Sequence, residues 1–81
     1  MRAKIFVTLK SGVLDPQGKA VQSGLHALGF DEVEAVRQGK VFEMDLLSRD
    51  VSQAKERLDG MCKKLLANTV IEDFSFEIED E

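Results

Sequence analysis

Glu32-Val33-Glu34-Ala35-Val36-Arg37-Gln38-Gly39-Lys40-Val41-Phe42-Glu43-Met44-Asp45-Leu46-Leu47, residues 32–47, decides the fold. Its second half, residues 40–47, alternates. Phe42, Met44 and Leu46 point one way, and Val41, Glu43 and Asp45 the other, the period-two signature of a strand with one buried face. Residues 32–37 also read as a strand, although Val33 and Val36 fall out of phase; a bulge or a late strand start accounts for the slip. Between them Gln38-Gly39 supplies a tight turn, with Gly39 expected at positive φ. The stretch is therefore read as a central hairpin.

On its N-terminal side, residues 3–9 alternate with Ala3, Ile5, Val7 and Leu9 on one face, and Lys10-Ser11-Gly12 ends that strand. Asp15-Pro16 is a helix start: the carboxylate accepts from orphan backbone N–H groups and proline suits the first helical position. Val21, Leu25 and Leu28 recur at helical spacing, and Gly29 stops the helix. Ala20, Gly24 and Ala27 form a strip of small residues, suited to close packing on a sheet or to a partner's approach. On the C-terminal side Ser48 or Asp50 caps a second helix. Val51, Ala54, Leu58, Met61 and Leu65 give its apolar stripe, with Cys62 and Leu66 beside it and Asn68 at its end. A last strand turns Val70, Phe74, Phe76 and Ile78 inward, and Ile71, Asp73, Ser75 and Glu77 outward.

The order strand–helix–strand–strand–helix–strand implies an α+β, ferredoxin-like βαββαβ sandwich: a four-stranded antiparallel sheet, order 4-1-3-2, with two helices on one face. Charge agrees with that order. The outward row of the first strand, Arg2, Lys4, Phe6, Thr8 and Lys10, is basic, and the rows expected beside it carry Glu43, Asp45, Asp73 and Glu77. Opposite charges facing across strands contribute roughly 0.2–1 kcal/mol per pair.

The chain has 81 residues, read as a single domain over 1–81. A chain this short buries roughly 60–65 % of its unfolded surface. Its core alone contributes about 3–5 kcal/mol, so small scaffolds lean on disulfides, metals or partners. One cysteine, Cys62, excludes an internal disulfide, and with His26 as the sole histidine no zinc site of nitrogen and sulfur ligands can be built. Self-association or docking is the remaining aid. No stretch approaches a membrane span and no signal-peptide pattern opens the chain, so a cytoplasmic location is expected. Residues 1–40 carry a net +2 and residues 41–81 a net −6, giving −4 in all. Such a balance disfavours nucleic acid and anionic membranes as partners. The acidic end, Glu77-Ile78-Glu79-Asp80-Glu81, reads as a solvated, fraying tail.

Catalytic signatures are missing: there is no phosphate-binding glycine loop, no C-x-x-C and no H-E-x-x-H. Cys62 lies on the apolar stripe and reads as a buried structural thiol, and His26 reads as a surface side chain. Paired carboxylates such as Glu43/Asp45 fit a solvated sheet face. RNA-binding domains of this topology stack bases on exposed aromatics, where this chain offers Glu43 and Asp45. Two spots remain. Arg37-Gln38-Gly39-Lys40 places two cations around a turn, suited to a phosphate or an acidic partner. Leu14-Asp15-Pro16-Gln17-Gly18 is a helix N-terminus, suited to an anion or to simple capping.

Several runs together carry a resemblance: Val13-Leu14-Asp15-Pro16-Gln17-Gly18, Leu28-Gly29-Phe30, Val36-Arg37-Gln38-Gly39-Lys40-Val41-Phe42-Glu43, Met61-Cys62-Lys63-Lys64-Leu65-Leu66-Ala67-Asn68 and Val70-Ile71-Glu72-Asp73-Phe74. In these runs, in order and over nearly its whole length, the chain resembles the PurS family, small accessory subunits of phosphoribosylformylglycinamidine synthase. Thr69 and Phe74 stand where the family pattern more often has proline and tyrosine.

The resemblance implies a subunit with no catalytic residues, cofactor or metal of its own. It serves an ATP- and glutamine-dependent ligase of de novo purine synthesis that converts formylglycinamide ribonucleotide to formylglycinamidine ribonucleotide. ATP and Mg would be used by the whole complex. The implied partners are a PurL-type synthetase subunit, a PurQ-type glutaminase subunit and further copies of this chain as a homodimer or higher homo-oligomer; neither nucleic acid nor membrane is among them. The subunit would bridge synthetase and glutaminase and assist ammonia transfer. Arg37 and Lys40 at the hairpin, and Asp15 and Gln17 at the first helix, are the expected partner-binding residues. The alternative is a small-molecule-sensing regulatory module of the ACT type, which shares the topology. An acylphosphatase-like hydrolase would want an arginine after the first strand, where Lys10-Ser11-Gly12-Val13 has none.

Overall fold

A computed structural model describes residues 1–79. Three strands form one antiparallel sheet in the order β2-β1-β3. They are β1 (Arg2–Leu9), β2 (Lys40–Asp45) and β3 (Glu72–Glu79). β1 is central because its Ala3, Ile5 and Val7 face is fully apolar, and these three residues are buried. Its register sets Arg2 against Asp45 and Lys4 against Glu43 on one side, and Lys4 against Glu77 on the other. Arg2 Nε lies 3.3 Å from Asp45 Oδ1, and Lys4 Nζ lies 3.9 Å from Glu43 Oε1. Just past the strand, Lys10 Nζ lies 2.9 Å from Asp73 Oδ1.

α1 (Pro16–Ala27) starts at Asp15, whose side chain accepts from the Gly18 N–H. It stops at Gly29, where φ is +96°, a conformation glycine adopts without strain. α2 (Val51–Met61) is capped by Asp50, not Ser48: the Asp50 carboxylate accepts from the N–H groups of Ser52 and Gln53. The helix then widens into one π turn, Cys62–Leu66, closed by Ala67 N–H donating to the Cys62 carbonyl at 2.9 Å. Leu58 and Cys62 join Ala3, Ile5, Val7 and Ala67 in one buried cluster, and Ala54 is buried as well. Phe42, Met44, Phe74, Phe76 and Ile78 pack around them, each partly buried.

The two helices are present, and the four-stranded sheet is corrected. Residues 32–37 form no strand, so the sheet has three strands and the order 4-1-3-2 does not arise. The physical reason lies in α1. Residues 33–38 run back along that helix, and its side chains take the carbonyls that a strand would offer. His26 Nε2 donates to Val33 O at 2.7 Å, and Gln22 Nε2 donates to Glu34 O at 2.9 Å. Gly18 lets the Val36 carbonyl come against the helix backbone, where any Cβ would collide with it. The out-of-phase Val33 and Val36 are both half-buried. Of the two helices, α2 and the π turn that follows it supply the core, chiefly through Leu58 and Cys62. α1 adds no side chain to it, and its sole buried residue is Gly18.

Three smaller expectations also change. Gly39 is not at positive φ. A Cβ there would meet the Val7 carbonyl oxygen at 2.5 Å, so close approach to β1 is what requires glycine. Val70 lies before β3 and is 81 % exposed. Glu77, Ile78 and Glu79 belong to β3, while residues 80–81 of the expected tail fall outside the described residues. With α1 held away from the core, the radius of gyration is 16.0 Å, against about 12 Å for a close-packed chain of this length.

Candidate docking site

Asp15, Gln17, Arg37 and Lys40 come together at one end of the sheet. Asp15 is buried and does two jobs. One carboxylate oxygen accepts from Gly18 N–H at 2.8 Å, capping α1, and the other accepts from Gln38 N–H at 2.9 Å. These donors, Gln38 first and Gly18 next, hold its carboxyl below the usual carboxylate range against the opposing effect of burial, and the nearby Arg37 charge adds to the lowering. Gln17 continues the link on the outside, its Oε1 accepting from Gln38 Nε2 at 3.1 Å.

Arg37 does not stand out from a hairpin tip. Its Nη2 donates to the carbonyls of Leu9 and Lys10, each at 2.9 Å, and Nη1 reaches Val13 O at 3.4 Å. The guanidinium thus satisfies three carbonyls where the chain leaves β1 and turns toward α1. Five donors in a rigid fork suit that task, which a lysine could not perform in the same way. Lys40 opens β2 opposite Val7, with Nζ 3.9 Å from Glu72 Oε2. Glu72 is a residue that sequence reasoning missed. Its other oxygen accepts from Asn68 N–H at 2.7 Å, fixing the turn before β3.

Around these residues lies a hollow of about 150 Å³, lined by Asp15, Gln17, Gln38, Lys40 and Glu72 over a floor of Val7 and Leu9. Its rim offers an amide, an ammonium and backbone, an assembly suited to a polar contact with another protein surface. Among the described residues no group of three or more His, Cys, Asp or Glu could hold a metal ion. No buried side-chain nitrogen or oxygen there lacks a hydrogen-bond partner. Cys62 is buried, and burial, helped by the charge of Asp59, pushes its thiol up; it is poorly suited to nucleophilic work. No helix among the described residues is long and apolar enough to cross a membrane.

A second depression of about 610 Å³ lies beside α2. Met44, Met61, Leu65 and Leu66 line it, with Arg57 and Lys64 at its edge. The sequence placed Leu65 on the core stripe, yet it is 84 % exposed. The π turn adds a residue to the last helical loop, which rotates Leu65 out of phase with Leu58.

The comparisons with known proteins agree with one another. The family model PurS, described as phosphoribosylformylglycinamidine (FGAM) synthase, matches residues 2–80. A relative from Synechocystis sp., phosphoribosylformylglycinamidine synthase subunit PurS, is 56 % identical over 75 residues, covering 93 % of this chain and 75 % of its own. The crystal structure of PurS from Methanocaldococcus jannaschii superposes with a TM-score of 0.89 at 38 % identity, covering 99 % of this chain and 96 % of that one. A chain of PurLQS from Thermotoga maritima superposes with a TM-score of 0.86 at 26 % identity, covering 94 % and 93 %. The architecture described above is therefore that of the solved PurS structures, and the chain belongs to the PurS family.

Proposed function

We propose that this chain is the accessory subunit of a phosphoribosylformylglycinamidine synthase in purine biosynthesis. In this reading it bridges a PurL-type synthetase subunit and a PurQ-type glutaminase subunit, and the whole complex uses ATP and Mg in the cytoplasm. The observation that carries the reading is the match, over 94 % of this chain, to a chain of PurLQS. The small-molecule-sensing alternative finds no support in these relatives.

The bridging role follows from what the complex must accomplish. Ammonia released by one subunit has to reach another without escaping to water, which demands a fixed geometry between them. A small subunit contributes by holding surfaces in register. Lys40 and Gln17, exposed at the rim of the small hollow, are the direct partner contacts in this reading. Asp15 and Arg37 hold the two loops that present them. The chain acts as one domain and as a homodimer, because a protomer with an uncovered helix and an open groove is incomplete.

The test is reconstitution. The synthetase and glutaminase subunits are assayed for glutamine-dependent turnover with and without this chain, and the mixture is passed over a sizing column. Co-elution and a turnover that requires the chain are expected. Full coupling of the other two in its absence overturns the reading.

A further inference from the structure

β3 has a strand on one side only. It pairs with β1 from Leu9 opposite Glu72 to Arg2 opposite Glu79, and among the described residues no strand lies beyond it. An antiparallel pair uses the N–H and C=O of every second residue, so the remaining backbone groups of β3 point away from the sheet. This margin is eight residues long, against six for β2 on the far side.

The side chains along the margin define the strand that fits it. Asp73, Ser75, Glu77 and Glu79 are exposed on the helix-free side. Lys10 takes Asp73, but neither Glu77 nor Glu79 makes an ion pair among the described residues. On the core side Phe74, Phe76 and Ile78 are only half-buried, and Val70 and Ile71, just ahead of the strand, are exposed. An incoming strand therefore meets carboxylates on one face and apolar surface on the other. The matching sequence alternates lysine or arginine with apolar residues. β1 has this pattern, and it already sets Lys4 opposite Glu77 on the inner side of β3.

The margin also begins at the docking site. Glu72, the first residue of β3, lines the small hollow, and its Oε2 lies 3.9 Å from Lys40 Nζ. A polypeptide seated on Lys40 and Gln17 reaches β3 without crossing the molecule.

We propose that a partner subunit docked at the hollow lays an extended segment, alternating basic and apolar residues, along the outer side of β3. Backbone hydrogen bonds hold the segment, and Glu77 and Glu79 select its charge. The inference rests on the accessory-subunit reading above and adds to it the chemistry of the docked segment.

The test uses the full chain reconstituted with the synthetase and glutaminase subunits, either unaltered or carrying Glu77→Lys with Glu79→Lys. Both side chains are exposed, and circular dichroism checks that the variant is folded. The unaltered chain is expected to co-elute, with its β3 amides exchanging deuterium more slowly in the complex than alone. The variant is expected to bind about tenfold more weakly or worse. If the unaltered chain does not co-elute, the accessory-subunit reading falls and this proposal with it. If it co-elutes but the variant binds equally well, or β3 exchanges alike bound and free, the proposal is overturned and the reading stands. Full protection of the outer β3 amides in the chain alone means that a second copy already occupies them, and this too overturns it. A synthetic peptide of residues 2–10 probes the pattern itself. Added to the full chain, it slows exchange in β3, whereas a peptide carrying Arg2→Glu, Lys4→Glu and Lys10→Glu does not. Equal effects of the two peptides, or none from either, overturn the assignment of a basic strand.

Discussion

The Asp15 carboxylate accepts the Gln38 backbone N–H at 2.9 Å across 23 positions of sequence. One side chain thereby joins the start of α1 to the start of β2, and the segment between them is closed into a loop that stands off the sheet.

Replacing Asp15 with Asn should lower the melting temperature at neutral pH and abolish the difference in acid. The folded-state carboxyl titrates below its ordinary value because of the two N–H donors. Its contribution is therefore fully present above the ordinary carboxylate range and is lost as pH falls through the lower, folded-state value. Thermal melts of both proteins across the acid range provide the check: curves that stay parallel to the lowest pH would contradict this assignment.

Arg37 and Lys40 should separate when each is reversed to Glu. Arg37→Glu removes the donor to three loop carbonyls and should lower both stability and assembly with the other subunits. Lys40→Glu breaks a long pair at 3.9 Å whose lysine is exposed, worth within about 1 kcal/mol, and should weaken assembly with little change in melting. Urea titrations beside a pull-down with the synthetase and glutaminase subunits distinguish the two patterns.

Leu58→Ala should unfold a large fraction of the protein. Leu58 is completely buried between α2 and β1, and such truncations cost about 2–5 kcal/mol, comparable to the whole margin of a small scaffold. Leu47→Ser, at a fully exposed position, should move the urea midpoint hardly at all, within about 0.5 kcal/mol.

Gly18→Ala and Gly24→Ala should act with opposite sign on the isolated protomer. At Gly18 a methyl would collide with the Val36 carbonyl, while at Gly24 it meets nothing within 4 Å. The first change should destabilise the loop, and the second should favour helix by about 1 kcal/mol. Circular dichroism melts at dilutions that populate the monomer supply the comparison.

How much the residues reveal depends on whether their partners are local. The strict alternation of Ala3, Ile5 and Val7, and of Phe42 and Met44, is a local pattern, and it locates β1 and β2. The Asp15-Pro16 and Asp50 caps are equally short-range, and they locate both helices. Residues 32–37 are different. Their β-branched content suggests a strand, yet the decision rests on His26 and Gln22 reaching across from a helix to claim two carbonyls. The three-residue spacing of Val33 and Val36 was the available warning. At the site, Asp15 and Lys40 looked like members of two separate spots, because nothing in a linear reading shows that Gln38 ties them together. Arg37 looked like a free cation because carbonyl partners leave no trace in a sequence. Leu65 was misplaced because a single π turn shifts every later side chain by part of a revolution.

A sheet of three strands leaves two margins unpaired, and here both are guarded. On β3 the outward positions Asp73, Glu77 and Glu79 recur along the rim, and on β2 Glu43 and Asp45 do the same. If two β3 rims met head to tail, carboxylate would face carboxylate, a pairing that sheets disfavour. The molecule can thus keep a long hydrogen-bonding border available while resisting runaway stacking into fibrils.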